Sequence, residues 1–302
     1  MALRPLDNAL PMINQERPKK QAKINVIAAH KDKQLNAVGV NDENVAPLAQ
    51  PQSTEVTVDY VASENLEAFQ DADVKIQGLV GGLESKDWVK VCESLNDARR
   101  FALYHSALLL PILDKVVMVM VKAMKNPRSA LIKTSIMASS DIFKAFGENL
   151  IESTSDAFNQ LLLQLLLKAS QDKKFVCEEA DKALSAMVDA MAPLPLLHKL
   201  SVYVGHSNPR VRAKAANSIS KCVSKMDVES MKEFGLVKLI QSASTLLNDK
   251  LPEAREAARG LVISLYEAIT ESEEEKLEYW QSFCQSNLAA IHAQAMVKLV
   301  SS

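Results

Sequence analysis

From about residue 63 onward, apolar residues recur at three- and four-residue steps, the spacing of a helix with one buried face. Leu108, Ile112, Val116, Val119 and Ala123 keep that step, with Lys115 and Lys122 between them. Asp156 to Ser170 repeats it around the run Leu161 to Leu167, which predicts a helix buried on several sides. The longest apolar stretch, Ala107 to Met124, is interrupted by Asp114, Lys115 and Lys122, so it reads as a core helix and no membrane insertion is expected.

Residues 1–62 follow no such period. Five of the 11 prolines lie there, with 7 basic and 7 acidic residues. A segment of that kind buries too little apolar surface to offset its chain entropy, so 1–62 is expected to be a disordered tail and 63–302 the folded domain. Arg17, Lys19, Lys20 and Lys23 form a basic cluster in the tail. It is expected to be solvated, and contact with an acidic partner or a nuclear import receptor is the other reading.

Short polar clusters punctuate the helical part: Ser85-Lys86-Asp87-Trp88, Asn126-Pro127-Arg128-Ser129, Gln171-Asp172-Lys173-Lys174, Ser207-Asn208-Pro209-Arg210 and Asn248-Asp249-Lys250-Leu251-Pro252. Asp87, Asn126, Asp172, Asn208 and Asp249 are separated by 39, 46, 36 and 41 residues. A period of about 40 belongs to paired-helix solenoids. Each cluster suits a turn between antiparallel helices, with Asn, Asp or Ser accepting from the free N–H groups of the second helix and Pro tolerated in its first turn. The expected fold is all-α, an α-solenoid of about six HEAT-like pairs.

Composition supports this fold and narrows the chemistry. Glycine is scarce, 8 residues in 302, against about 7% in ordinary domains. That disfavours hairpin-rich folds and glycine phosphate loops. Lys and Arg number 35 against 37 Asp and Glu, for a net charge of −2, which disfavours a dedicated nucleic-acid binder. Cys92, Cys177, Cys222 and Cys284 form no C-x-x-C pair and are expected to be reduced, buried thiols of a cytoplasmic protein. His30, His105, His198, His206 and His292 are scattered without metal-ligand spacing. Gly78, Gly81 and Gly82 follow a helical pattern, not a strand. No catalysis, cofactor or metal is expected.

Set side by side, the second helices resemble HEAT repeats, most clearly in NPRVRAKAANSISKCV at 208–223. DWVKVCESLNDARRFALYH (87–105), VKAMKNPRSALIKTSIMASSDIFKAFG (121–147), LLLKASQDKKFVCEEADKALSAMV (165–188) and GHSNPRVRAKAA (205–216) follow one another as in a TOG domain, most similar to the CLASP and crescerin type. The resemblance covers about 65–300. It implies a paddle that binds αβ-tubulin and microtubules along the edge formed by the turns inside each pair. It also implies tubulin contacts at Lys86, Trp88, Lys125, Arg128, Lys173, Lys174, Asn208, Arg210 and Lys250. Many relatives carry a basic residue three positions after the tryptophan, where this chain has Val91.

Elementary geometry agrees, because turns joining the same two layers share one edge. With Lys90 they would form a basic line that attracts an acidic partner and weakens with salt. Trp88 is either the apolar anchor of that line or a core residue covering the end of the solenoid. Arg212 and Arg255 are expected to be structural, pairing with acids of adjacent repeats, and Phe175 to be core. Glu271 to Glu275 is expected to form the acidic first turn of a last helix. An ARM/HEAT scaffold for a non-tubulin protein is the alternative; a groove lined with Asn, Trp or acids along the helices would mark it. Avidity would need self-association, an adaptor partner or the basic tail.

Overall fold

A computed structural model describes residues 60–301. The basic cluster Arg17 to Lys23 lies outside these residues, as does all of the expected tail except 60–62. Among the described residues the chain forms 14 α-helices and no strand.

Twelve of them form six antiparallel pairs. The first is α1 (Ala72–Leu83) with α2 (Trp88–Tyr104). A short α3 (Ser106–Leu109) leads to α4 (Leu113–Met124) and α5 (Ser129–Ser153), then α6 (Ser155–Ala169) with α7 (Lys174–Ala190). The fourth pair is α8 (Pro193–Ser201) with α9 (Pro209–Val223). After α10 (Val228–Phe234) come α11 (Leu236–Leu247) with α12 (Pro252–Ile269), and α13 (Lys276–Asn287) with α14 (Ala290–Val300). The apolar stretch from Ala107 is thus divided among α3, a 3-10 turn with Pro111 and α4. The acidic run Glu271 to Glu275 precedes α13, the penultimate helix, and is not its first turn.

Second helices stack in one layer, α2 on α5, α5 on α7, α9 on α12 and α12 on α14, while α4 packs on α6 in the other. The core runs between the layers through Phe101, Val117, Met120, Phe143, Phe158, Leu165 and Met187, each fully buried. Where α9 meets α12 the contact is made by Ala213, Ala216, Ala254, Ala257 and Ala258, whose small side chains let the two backbones approach. Cys92, Cys222 and Cys284 are buried and Cys177 is half-buried; burial pushes the Cys222 and Cys284 thiols up to about 12.

One buried ion pair ties the start of the domain to its second layer. Arg99 Nε donates to Asp141 Oδ2 at 2.7 Å, while the same guanidinium holds the Val61 carbonyl at 2.7 Å and the Ser63 hydroxyl at 3.2 Å. Ser63 in turn donates to Asp141 at 2.7 Å, so both charges are satisfied. Within α5 the backbone breaks at Gly147, with φ +40°, where an added Cβ would lie 2.6 Å from the Ala190 carbonyl oxygen. Only glycine meets both conditions at that position.

Candidate functional site

Four of the five turns named above share one local frame. The Asp87 carboxylate accepts from Val89 N–H at 3.0 Å, the Asn126 amide oxygen from Arg128 N–H at 2.9 Å, Asn208 from Arg210 N–H at 3.0 Å and Asp249 from Leu251 N–H at 2.9 Å. An Asx side chain accepting from the backbone two residues on is a turn in its own right and satisfies one free donor of the helix that follows. Asp87 and Asn208 are themselves the N-caps, whereas Asn126 and Asp249 stand two residues ahead of theirs. The third turn lacks this frame: its N-cap, Lys173, makes no side-chain cap, and Asp172 is used elsewhere.

Side chains join the turns in sequence. Arg128 of the second lies over the Trp88 ring of the first, 5.6 Å from its centroid. Lys173 Nζ of the third donates to Ser129 Oγ, beside the second, at 3.5 Å. From the fourth, Arg210 reaches back to Asp172 at 2.5 Å and Arg212 forward to Asp249 at 2.6 Å. Asn248 of the fifth meets His292 of α14 at 3.4 Å. The turns therefore lie along one continuous edge.

The expected residues behave differently along it. Lys86, Lys125 and Lys250 are exposed and pair with no acid among the described residues. Lys173 is likewise exposed and has only the Ser129 hydroxyl. Lys174 is exposed and pairs with Glu178 one helical turn on, at 3.7 Å. Arg210 is held by Asp172 and by the Ser170 carbonyl at 3.2 Å. Asn208 is half-buried with its amide oxygen committed to the cap. Trp88 is half-buried, packed on the core from below and covered by Arg128, so it both seals the first pair and faces the edge.

Arg212 is structural, as expected, donating to Asp249 of the next pair and to the His206 carbonyl at 2.7 Å. Arg255 departs from expectation: it donates to the Asp249 and Lys250 carbonyls of its own turn, at 2.8 and 2.9 Å, because these carbonyls face its helix start and need a donor. Burial alone would raise the Asp249 carboxyl. The Arg212 hydrogen bond and charge and the backbone N–H groups of the turn outweigh it and hold Asp249 below the usual carboxylate range.

Two edge residues escaped the sequence. Phe175 is not core but 42% exposed, because the second position of α7 faces out of the turn. Lys168, near the end of α6, is buried beside that turn. An aromatic reads as core and a lysine as solvated by residue type alone. The only local signal was Lys173 and Lys174 immediately before the aromatic.

The helix face of the second layer carries a groove of about 450 Å³ between α7, α9 and α12. Its central charges pair with one another: Lys214 donates to Asp181 and Glu253, both at 3.1 Å, and Asn217 to Glu253 at 2.7 Å, while Lys221 donates only to the Ser185 hydroxyl at 3.1 Å. Burial would lower the Lys214 ammonium, but its two carboxylate partners raise it above the usual range. Among the described residues no cluster of three or more His, Cys, Asp or Glu could hold a metal ion, and no helix is long and apolar enough to cross a membrane.

The family model described as CLASP N terminal matches residues 103–289. The chain belongs to the CLASP N-terminal family. The chain is similar to TOG array regulator of axonemal microtubules protein 1 of Mus musculus, 27% identical over 205 residues, which are 66% of this chain and 11% of that protein. The Homo sapiens protein of the same name is 30% identical over 128 residues, 42% of this chain and 7% of the relative. The chain thus matches about a tenth of the length of these relatives. A crescerin TOG-domain structure superposes with TM-score 0.53 at 14% identity, covering 74% of this chain and 87% of that one. The MAST/Orbit N-terminal domain gives 0.51 at 15%, covering 74% and 94%. These likenesses establish the CLASP N-terminal chain as a TOG-type fold.

Proposed function

We propose that the protein binds αβ-tubulin through the turn edge and acts as a microtubule-associated protein of the cytoplasmic cytoskeleton. The observation that carries this reading is the run of cations without acid partners, Lys86, Lys125, Lys173 and Lys250, on turns linked one to the next, with Trp88 at one end. A free cation line on a chain of net charge −2 speeds encounter with an acidic surface and fixes its orientation. Membership of the CLASP N-terminal family and likeness to a protein named for regulating axonemal microtubules add support. No covalent step is required: regulation of microtubule dynamics follows if the edge prefers one tubulin conformation over another. One edge offers limited affinity, so self-association, an adaptor or the basic segment Arg17 to Lys23 would raise avidity.

The groove of the second layer gives the scaffold alternative little support, since its central charges, Lys214 with Asp181 and Glu253, are already paired with one another. The test is microtubule cosedimentation and gel filtration with free tubulin, comparing the wild type with Trp88→Glu/Lys173→Glu. The wild type is expected to bind in a salt-sensitive way, and the variant to lose at least about tenfold in affinity while staying helical. Equal binding by the variant, or no wild-type binding at low salt, would sink the proposal.

A further inference from the structure

The two ends of the solenoid are finished differently. At the first, the segment leading into α1 lies on α2: Tyr104 Oη donates to the Leu66 carbonyl at 2.7 Å, and Phe69 packs on the Phe101 ring at 4.9 Å. Arg99 fastens the Val61 carbonyl there as well. At the other end α14 packs on α12 and α13, and its outer side is open. Ile291 is 73% exposed, the most open large apolar side chain among the described residues, with Ala290, Gln294 and Ala295 exposed around it.

Next to Ile291 a groove of about 490 Å³ runs between α13 and α14. Leu288, Ala293 and Val297 give it apolar walls, Gln281, Gln285 and Gln294 give it amides, and Lys298 is its one charge. Residues 279–297 contain no Asp, Glu, Lys or Arg, in a chain that is 24% charged. The terminal pair of a solenoid ordinarily turns a polar face outward for solubility. Here the outer face is depleted of charge, as the centre of a protein interface is.

We infer that the α13–α14 end is a self-association surface: two copies of the chain meet there about a two-fold axis, α14 against α14, with Ile291 of each entering the groove of the other. Charge and continuity select a second copy as the occupant. A two-fold contact sets a patch against itself, so it needs few like charges and groups that both donate and accept. Glutamine amides do both, and the Lys298 stem is long enough to carry its ammonium out to water. The contact also continues the stacking of second helices that runs from α9 through α12 to α14. Head-to-tail stacking is blocked at the first end by the segment that overlies α2. The inference does not rest on tubulin binding, and no tubulin enters its test.

The test is sedimentation velocity of the full chain from about 1 to 200 µM, a range in which a small contact should pass from monomer to dimer. Ile291→Glu sets like charges across the axis and should raise the dissociation constant at least about tenfold. An acid at the second position of α14 suits the helix dipole, so the variant is expected to fold. Gln294→Arg adds a second cation beside Lys298 and should weaken the dimer about fivefold. Val74→Glu changes a comparably open residue of α1, 69% exposed, and should leave the dimer as it is. A wild type that stays monomeric throughout overturns the inference. So does a dimer that Ile291→Glu leaves intact, or one that Val74→Glu dissolves.

Discussion

In the first three turns Lys86, Lys125 and Lys173 meet no carboxylate among the described residues and Lys174 meets only Glu178 of its own helix, whereas in the fourth and fifth, Lys250 apart, Arg210 holds Asp172, Arg212 holds Asp249, and Lys214 of the following helix bridges Asp181 and Glu253. Both regions are built from the same helix pairs, and two turns of each use the same Asx frame. What differs is where the charges are spent. Toward the C-terminal end they bind repeat to repeat across a contact of small alanines that offers limited apolar area. Toward the N-terminal end the buried Arg99–Asp141 pair joins the first two helix pairs away from the turns, and the turn lysines Lys86, Lys125 and Lys173 stay available to a partner.

Removing Asp249 should have the largest effect. It caps its own turn, accepts from Arg212 and has a side chain only 4% exposed, so Asp249→Ala leaves a guanidinium without its acid. A loss of about 3 kcal/mol in denaturant unfolding is expected, with the salt sensitivity of tubulin binding retained. Gly147→Ala, on the N-terminal side, should cost about 2 kcal/mol in the same assay, since a positive φ and a clash with the Ala190 carbonyl arise together. A loss of tubulin binding with Asp249→Ala in a chain that remains folded would erase the proposed division.

The pH dependence of the Asp249 contact is also fixed in sign. Its folded pKa is depressed, so its contribution is fully present above the unfolded value of about 3.9 and disappears as pH falls through the lower folded value. Acid titration of unfolding free energy should therefore be less steep below about pH 4 for Asp249→Asn than for the wild type. The smallest stability effect is expected for Asp172→Asn, which releases the exposed Arg210: within about 0.5 kcal/mol, because the pair is solvated. Its interest lies in binding. It converts a spent cation into a free one, so tubulin affinity at low salt should rise, and its salt dependence should steepen.

Much of the fold could be read from sequence because one residue type does one local job. Asp87, Asn126, Asn208 and Asp249 mark their turns by a hydrogen bond that reaches only two residues, and such contacts need no tertiary information. The pairing of charges is another matter. Arg210 and Arg212 are two residues apart yet reach acids in opposite directions, 38 residues back and 37 ahead, and nothing local distinguishes them. Phe175 left its expected core environment for a similar reason. Burial at a turn depends on which neighbouring pair covers it, and that is decided by stacking between pairs.

The Asx frame has a consequence for how such an edge can change over generations. In each framed turn the backbone is secured by the first and third positions, and the residue between them takes no part in that hydrogen bond. Those middle positions are Trp88, Pro127, Pro209 and Lys250. They work as interchangeable sockets: an aromatic, a rigid imino acid or a cation can occupy them without disturbing how the helix begins. A paddle of this kind can be retuned for a new surface one socket at a time, with the folding machinery left outside the experiment.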